Sequence, residues 1–249
     1  MLPVNVRTAA SLCLAAALGA TTSLQVGCGD LMSGLPGPVG TLVQNALGLD
    51  LSFEIAGAPS DELEQVFFYI KTTSQMTSHL RARTETLADE FARLFEIKSN
   101  ARTAEGLAQI AGAAKKIDPS TMTSPQKQWV KDNMDEFAGL AYAIVGIAQS
   151  GKSMVTAGLA AGDKVMDNPN AVLNYFAGSD ALAAAKVAVA DARSIADDLP
   201  PIAENASSIA SAIADLGKAE GIEPPTKERS KQLADKAATS AIGEDVTFT

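Results

Sequence analysis

The spacing of apolar residues along most of this chain is that of amphipathic helices. From Ser60 onward, apolar or small residues recur at alternating intervals of three and four, the repeat of one helix face. Ser60 is predicted to cap the first long helix, with Asp61 and Glu62 at the positive end of its dipole. This helix is predicted to extend to about Ser99. Its inward stripe is Leu63, Val66, Ile70, Thr73, Thr77, Leu80, Thr84, Leu87, Phe91 and Leu94.

Capping residues, prolines and glycines divide the rest of the chain into further helices. The predicted helices run from Thr103 to before Asp118, from Ser124 through Val155, from Asp180 to Leu199, from Ile202 to about Gly221 and from Thr226 to Ala241, with a short segment between Asn168 and Gly178. Pro200-Pro201 is predicted to break the chain, because an interior proline removes a helical hydrogen bond. The pattern therefore predicts an all-α fold, a single bundle of six or seven helices.

Two short stretches near the ends of the folded region alternate with the period of a strand. Leu51, Phe53 and Ile55 alternate with polar or small residues, and so does Val246-Thr247-Phe248-Thr249. A minor antiparallel pair joining these stretches is a hypothesis.

The predicted organisation is a signal peptide (1–27), a Gly- and Pro-rich tether with a short amphipathic helix near Val39 to Leu49 (28–59), a helical bundle (60–222), and a C-terminal linker, polar helix and tail (223–249).

Composition narrows the possible functions. The 249 residues carry a net charge of −9 and 5% aromatic residues. No basic stripe appears, so a nucleic acid partner is not expected. The apolar content is dominated by alanine, which favours helices that pack closely. The chain has one His and two Cys, a shortage of reactive side chains that argues against an enzyme.

The first residues have the layout of an export signal. Arg7 precedes an apolar stretch from Thr8 to Leu24, followed by Leu24-Gln25-Val26-Gly27-Cys28. This resembles a bacterial lipoprotein signal peptide, although Gln25 stands where an aliphatic residue is preferred. The resemblance implies cleavage before Cys28, a diacylglycerol attached to the Cys28 sulfur by a thioether, acylation of the Cys28 amine by a palmitate-type chain, and location in the cell envelope. We expect the protein to lie on the periplasmic face of the outer membrane. The alternatives to the lipoprotein interpretation are ordinary secretion with a free Cys28 and a retained membrane helix.

One motif has the spacing of a nucleotide site. Gly146-Ile147-Ala148-Gln149-Ser150-Gly151-Lys152-Ser153 matches the phosphate-loop pattern GxxxxGK[ST]. The apolar stripe of the helix predicted from Ser124 through Val155 runs through this motif without a change of helical phase. An exported protein also meets little ATP or GTP. We therefore predict a continuous helix, with Lys152 solvated and no nucleotide bound.

Other reactive residues give no catalytic or metal constellation. His79 is predicted to be a solvated helix residue, because no nucleophile-elbow context accompanies it. A lone His with no free Cys excludes a zinc site. The paired acids, such as Asp135-Glu136, are adjacent and point to different sides of a helix. No metal and no cofactor are predicted.

A hydrophobic ligand is the remaining chemistry to which the sequence points. Val66 to Ile70 is apolar all around the helix and must be covered by neighbours or by a ligand. Small hydroxyl residues follow it, as in a mostly apolar pocket with few polar groups, although ordinary core packing is the alternative. The candidate ligand-binding residues are Phe67, Phe68, Tyr69, Thr73, Thr77, Tyr142, Tyr175 and Phe176.

These observations predict a noncatalytic, membrane-anchored lipoprotein. It would bind a lipid, sterol or hopanoid within its bundle, as part of lipid transport in the envelope. The alternative is a structural or adaptor lipoprotein whose exposed helices bind another envelope protein, such as a transporter.

Overall fold

The computed structural model describes residues 51–59, 61–167 and 181–249. They form five α-helices and two short strands, which confirms the all-α bundle with a minor strand pair. The elements are β1 (Phe53–Ile55), α1 (Glu62–Leu94), α2 (Ala104–Ala114), a 3-10 turn (Pro119–Thr121), α3 (Ser124–Asp167), α4 (Ala181–Ala219), α5 (Lys227–Ile242) and β2 (Val246–Phe248). Within these ranges, every helix is too short or too polar to cross a bilayer.

The helix ends follow local capping chemistry. The Asp61 side chain accepts hydrogen bonds from the backbone N–H groups of Leu63 and Glu64, so Asp61 caps α1 instead of the predicted Ser60, which lies outside the described residues. Thr103 and Thr226 cap α2 and α5 in the same way. α1 ends at Leu94, earlier than the predicted Ser99, and α5 ends before Gly243, which has φ 77°.

The predicted break at Pro200-Pro201 is wrong, because α4 continues through both prolines. Both are exposed, so their rings displace no core contact, and the carbonyls that lose an N–H partner belong to the half-exposed Ala196 and the exposed Asp197. The buried stripe also keeps one helical phase across the prolines. It consists of Ala192, Ile195, Leu199, Ile202, Ala206, Ile209, Ile213 and Leu216. Packing of this stripe outweighs the cost of about 3 kcal/mol for each of the two prolines in the helix interior.

The helix count is therefore five in the described residues, below the predicted six or seven. The two helices predicted from Asp180 to Leu199 and from Ile202 to about Gly221 are one helix in the structure, α4. The predicted short segment between Asn168 and Gly178 lies outside the described residues.

α3 is the central helix of the bundle and packs against α4, α1 and α5. It runs antiparallel to α1, since Arg83 pairs with Glu136 and Ile70 meets Gly158. It also runs antiparallel to α4, where the backbone of Ala196 lies against Gly151. The described core is contiguous from the strand pair to α2.

The predicted strand pair is confirmed. β1 and β2 pair antiparallel, with Phe53 opposite Phe248 and Ile55 opposite Val246. These four side chains are buried, and the rings of Phe53 and Phe248 lie 5.5 Å apart. The Asp235 carboxylate of α5 accepts a 2.7 Å hydrogen bond from the Phe248 N–H, and burial raises the pKa of Asp235. The two ends of the described chain are thus joined on the bundle.

Candidate functional site

The aromatic run at the start of α1 lies in the core. Phe67, Phe68 and Tyr69 are all buried, and the rings of Phe68 and Tyr69 meet edge to face at 5.7 Å. Burial raises the pKa of the Tyr69 hydroxyl, an effect partly offset by its interaction with the backbone of Ile55. Tyr69 therefore lies where α1 meets β1.

Tyr142 lies at the other side of the strand pair, on α3. Its ring packs edge to face on Phe248 at 6.3 Å, and its hydroxyl donates to the Thr249 carbonyl at 3.3 Å. Tyr142 thus holds the C-terminal strand. Three further predicted residues, Cys28, Tyr175 and Phe176, lie outside the described residues.

The hydroxyls of Thr73 and Thr77 are the unusual feature of α1. Both Oγ1 atoms are buried, and neither has a hydrogen-bond partner within residues 51–59, 61–167 and 181–249. Other threonines of the same helix are satisfied: Thr84 donates to the Leu80 carbonyl at 2.9 Å and Thr86 to the Ala82 carbonyl at 2.8 Å. A buried hydroxyl without a partner is costly, by about 1–3 kcal/mol. The two hydroxyls lie one turn apart on one face of α1 and share this property among the described residues.

Thr77 opens onto a small cleft between α1 and α4, while Thr73 lies one turn away and is fully buried. The cleft has a volume of about 120 Å³, room for a few water molecules or for one polar group of a ligand. Its walls are mostly hydroxyl and charged residues over an apolar base. They are Ser74, Thr77, Ser78, Arg81, Asp191, Ser194, Ile195, Asp198, Leu199 and Ile202.

Sequence reasoning missed the α4 wall of this cleft. Asp191, Ser194 and Asp198 follow at intervals of three and four, so they share one face of α4, and Ser194 donates to Asp198 at 2.8 Å. That spacing was visible in the sequence. Only the packing of α4 on α1 brings it opposite Thr77.

A larger cleft of about 530 Å³ lies between α1, α3 and α5. Leu80, Leu140 and Leu233 contribute apolar lining. The Arg83 guanidinium makes two hydrogen bonds to Glu136, at 2.6 and 2.9 Å, and Glu136 raises the pKa of Arg83. The other lining residues are His79, Asp132, Asp135, Arg229, Lys236, Ala237, Ser240 and Ala241. His79 is exposed at this cleft.

The residues of the phosphate-loop motif form a continuous part of α3, as the helical phase predicts. Lys152 is exposed. Helical N–H groups in mid-helix are bonded to the preceding turn, so they are not free to surround a phosphate. The motif's residues instead serve packing: a Cβ on Gly146 would lie 2.9 Å from the Phe248 ring, and one on Gly151 would lie 2.9 Å from the Ala196 Cα.

Ser150 of the same motif fastens the N-terminal strand region to α3. Its hydroxyl accepts a hydrogen bond from the Ser52 N–H at 3.1 Å, and the Ser52 hydroxyl donates to the Gly146 carbonyl at 2.6 Å.

Within residues 51–59, 61–167 and 181–249, no three His, Cys, Asp or Glu side chains converge as a metal site. Comparison of the chain with known protein families, curated proteins and solved structures finds no match.

Proposed function

We propose that this protein is a noncatalytic, membrane-anchored lipoprotein that holds a hydrophobic small molecule between α1 and α4. The observation that carries the proposal is the pair of buried, unpartnered hydroxyls of Thr73 and Thr77. A ligand with an acceptor oxygen would give both hydroxyls a partner that the described residues do not supply. The proposed ligand class is a lipid, sterol or hopanoid.

Helix α4, which lies opposite α1, has a face of small side chains that suits the apolar part of a ligand. Along its buried face, α4 carries Ala185, Ala188 and Ala192 before Ile195. Alanine loses little contact area when helices separate, so a ligand can part α1 from α4 at a smaller cost than it could between helices joined by large side chains. The aromatic residues Phe67 and Tyr69, in contrast, are packed in the core, and their proposed role is to support α1 behind the hydroxyl pair.

The proposed anchor is the acyl group on Cys28, with the bundle on the periplasmic face of the outer membrane. Replacing Cys28 with Ala should move the protein from the membrane to the soluble fraction, because acyl chains supply about 0.8 kcal/mol per buried CH₂. Cell fractionation checks this. Cys13→Ala is the matched control, since Cys13 would leave with the signal peptide and its loss should change nothing. A membrane-bound Cys28→Ala protein would contradict the anchor.

Native mass spectrometry tests the proposed binding. The protein is extracted from membranes in mild detergent and measured before and after organic extraction. We expect an adduct of lipid, sterol or hopanoid mass, in addition to the covalent acyl group, that extraction removes. Protein of only the acylated mass, from several extractions, would contradict a bound hydrophobic molecule.

An adaptor role is the second candidate, and the cleft between α1, α3 and α5 favours it. This cleft combines leucines with charged walls, a composition suited to an amphipathic segment of an envelope protein such as a transporter. The same mass spectrum separates the two candidates. Copurification of a stoichiometric protein, without a lipid, would favour the adaptor.

A further inference from the structure

The two prolines inside α4 separate two parts of the helix that pack differently. We call residues 182–199 the arm and residues 202–219 the base. The buried positions of the arm before Ile195 are all alanines, namely Ala185, Ala188 and Ala192. The base instead buries large side chains, which are Ile202, Ile209, Ile213 and Leu216. Because an alanine methyl buries little apolar area, most of the arm is held to the bundle less strongly per turn than the base.

Polar contacts also fasten the base to its neighbours. The Asn205 side chain donates to the Ala104 carbonyl, at the start of α2, at 3.0 Å. Glu220, the residue after the base, forms an ion pair with Lys127 of α3 at 3.0 Å. In the arm, Ser194 donates to Asp198 at 2.8 Å, and this hydrogen bond lies within the arm itself. The base is therefore tied to both α2 and α3.

Pro200 and Pro201 remove two successive backbone hydrogen bonds where the arm meets the base. Neither proline has an N–H, so the carbonyls of Ala196 and Asp197 receive no helical hydrogen bond. Helices bend at prolines because this part of the ladder is already open. Both rings are exposed, so bending at this point breaks no buried proline contact. The junction is therefore the position at which α4 bends at the lowest cost.

The cleft beside Thr77 crosses this junction. Of the six α4 residues that line it, Ile202 belongs to the base and five belong to the arm. The five are Asp191, Ser194, Ile195, Asp198 and Leu199. Movement of the arm away from α1 would carry this wall away from Thr77 and widen the cleft.

We propose that α4 is hinged at Pro200-Pro201, and that the arm moves away from α1 to open the cleft beside Thr77 while the base stays in place. The hinge itself follows from the packing and hydrogen bonding of α4. Its role as the entrance for a hydrophobic molecule rests on the proposed function.

Two buried alanines provide a matched test of the hinge. Ala192 in the arm and Ala206 in the base are both 0% exposed on the buried stripe of α4. Ala192→Cys and Ala206→Cys are each made in the full chain with Cys13→Ala and Cys28→Ala, so the new thiol is the only one in the chain. After lipid extraction, the rate of reaction with a small thiol reagent under native conditions measures how often each position becomes exposed.

We expect the thiol at position 192 to react at least about tenfold faster than the thiol at position 206, because arm opening exposes only the first and global unfolding exposes both. Pro200→Ala with Pro201→Ala restores two hydrogen bonds across the hinge. This double change should lower the ratio of the two rates by about tenfold or more. Equal rates at the two positions would overturn the hinge. A ratio that the proline changes leave unaltered would assign the opening to fraying of α4 and would overturn it too.

Two controls keep the comparison valid. Reaction in denaturing urea gives the intrinsic reactivity of each thiol, by which the native rates are divided. Ala188→Cys and Ala212→Cys, at positions 5% and 4% exposed, form a second pair across the prolines. This pair replaces the first if either larger side chain lowers the stability of the fold.

The hinge and the proposed function fail separately. Unequal labelling of a protein that never carries lipid in the mass spectrum would keep the hinge and overturn its role as an entrance. Equal labelling of a protein that does carry lipid would overturn the hinge alone. Where both hold, the double proline variant should release its lipid to acceptor vesicles about tenfold more slowly. Unchanged release would contradict the entrance.

Discussion

The double variant Thr73→Val with Thr77→Val should be more stable than the native chain when no ligand is bound, by about 2 kcal/mol. Each change removes a buried hydroxyl that has no partner in the described part of the chain, and thus a desolvation cost of about 1–3 kcal/mol. Valine keeps the branched shape of threonine, so packing and helix propensity change little. Urea unfolding of the full chain in detergent, after extraction of bound lipid, measures the difference.

Thr84→Val is the matched control for this effect. Thr84 lies in the same helix and is as buried as Thr73, but its hydroxyl donates to the Leu80 carbonyl, so the change removes a hydrogen bond. We expect a loss of up to about 1 kcal/mol there. A double variant that loses stability as Thr84→Val does would mean that the two hydroxyls are satisfied in the ligand-free protein.

Gly151→Ala should destabilise the bundle by about 2 kcal/mol, because the new Cβ would approach the backbone of α4. It would lie 2.9 Å from the Ala196 Cα and 3.1 Å from the Ala196 N, atoms that cannot move without shifting the helix. Overpacking of this kind costs about 1–3 kcal/mol, and the better helix propensity of alanine offsets only part of it. Thermal or urea unfolding measures the change.

Gly162→Ala, in the same helix, should change the stability of the bundle in the opposite direction. No atom of the described residues outside its own stretch of helix lies within 4 Å of its Cβ position, so only the helix propensity changes, and stability should rise by about 0.5–1 kcal/mol. If the two variants unfold alike, Gly151 is not at a close helix contact, and the packing explanation of the phosphate-loop motif fails.

Local pattern was enough to predict much of the fold. Helices begin next to Thr103 and Thr226, as predicted. The apolar residues Phe53 and Ile55, and Val246 and Phe248, alternate with polar residues, and this alternation predicted the strand pair. The break at Pro200-Pro201 was wrong because the prediction weighed the local cost of proline without the buried stripe that continues through it. That stripe had the same phase on both sides, so the sequence contained the correcting signal.

The candidate site was only partly predictable. The hydroxyl residues Thr73 and Thr77 stood out as a cluster on the inward stripe of α1. Their lack of partners depends on rotamers and on the neighbouring helices, which no local pattern encodes. Asp191 and Ser194 form the opposite wall only because α4 packs on α1. Long-range packing therefore decides which of the many Ser, Thr and Asp residues meet.

The most direct test of the proposed site is the amount of noncovalent lipid that each variant retains. Wild-type protein, Thr84→Val and the Thr73→Val, Thr77→Val double variant are purified identically from membranes, and extracted lipid is quantified per chain. The double variant should retain at least about tenfold less than the other two, since loss of two hydrogen bonds of about 1 kcal/mol each weakens binding by more than an order of magnitude. Equal retention by all three would contradict a ligand held by the Thr73 and Thr77 hydroxyls.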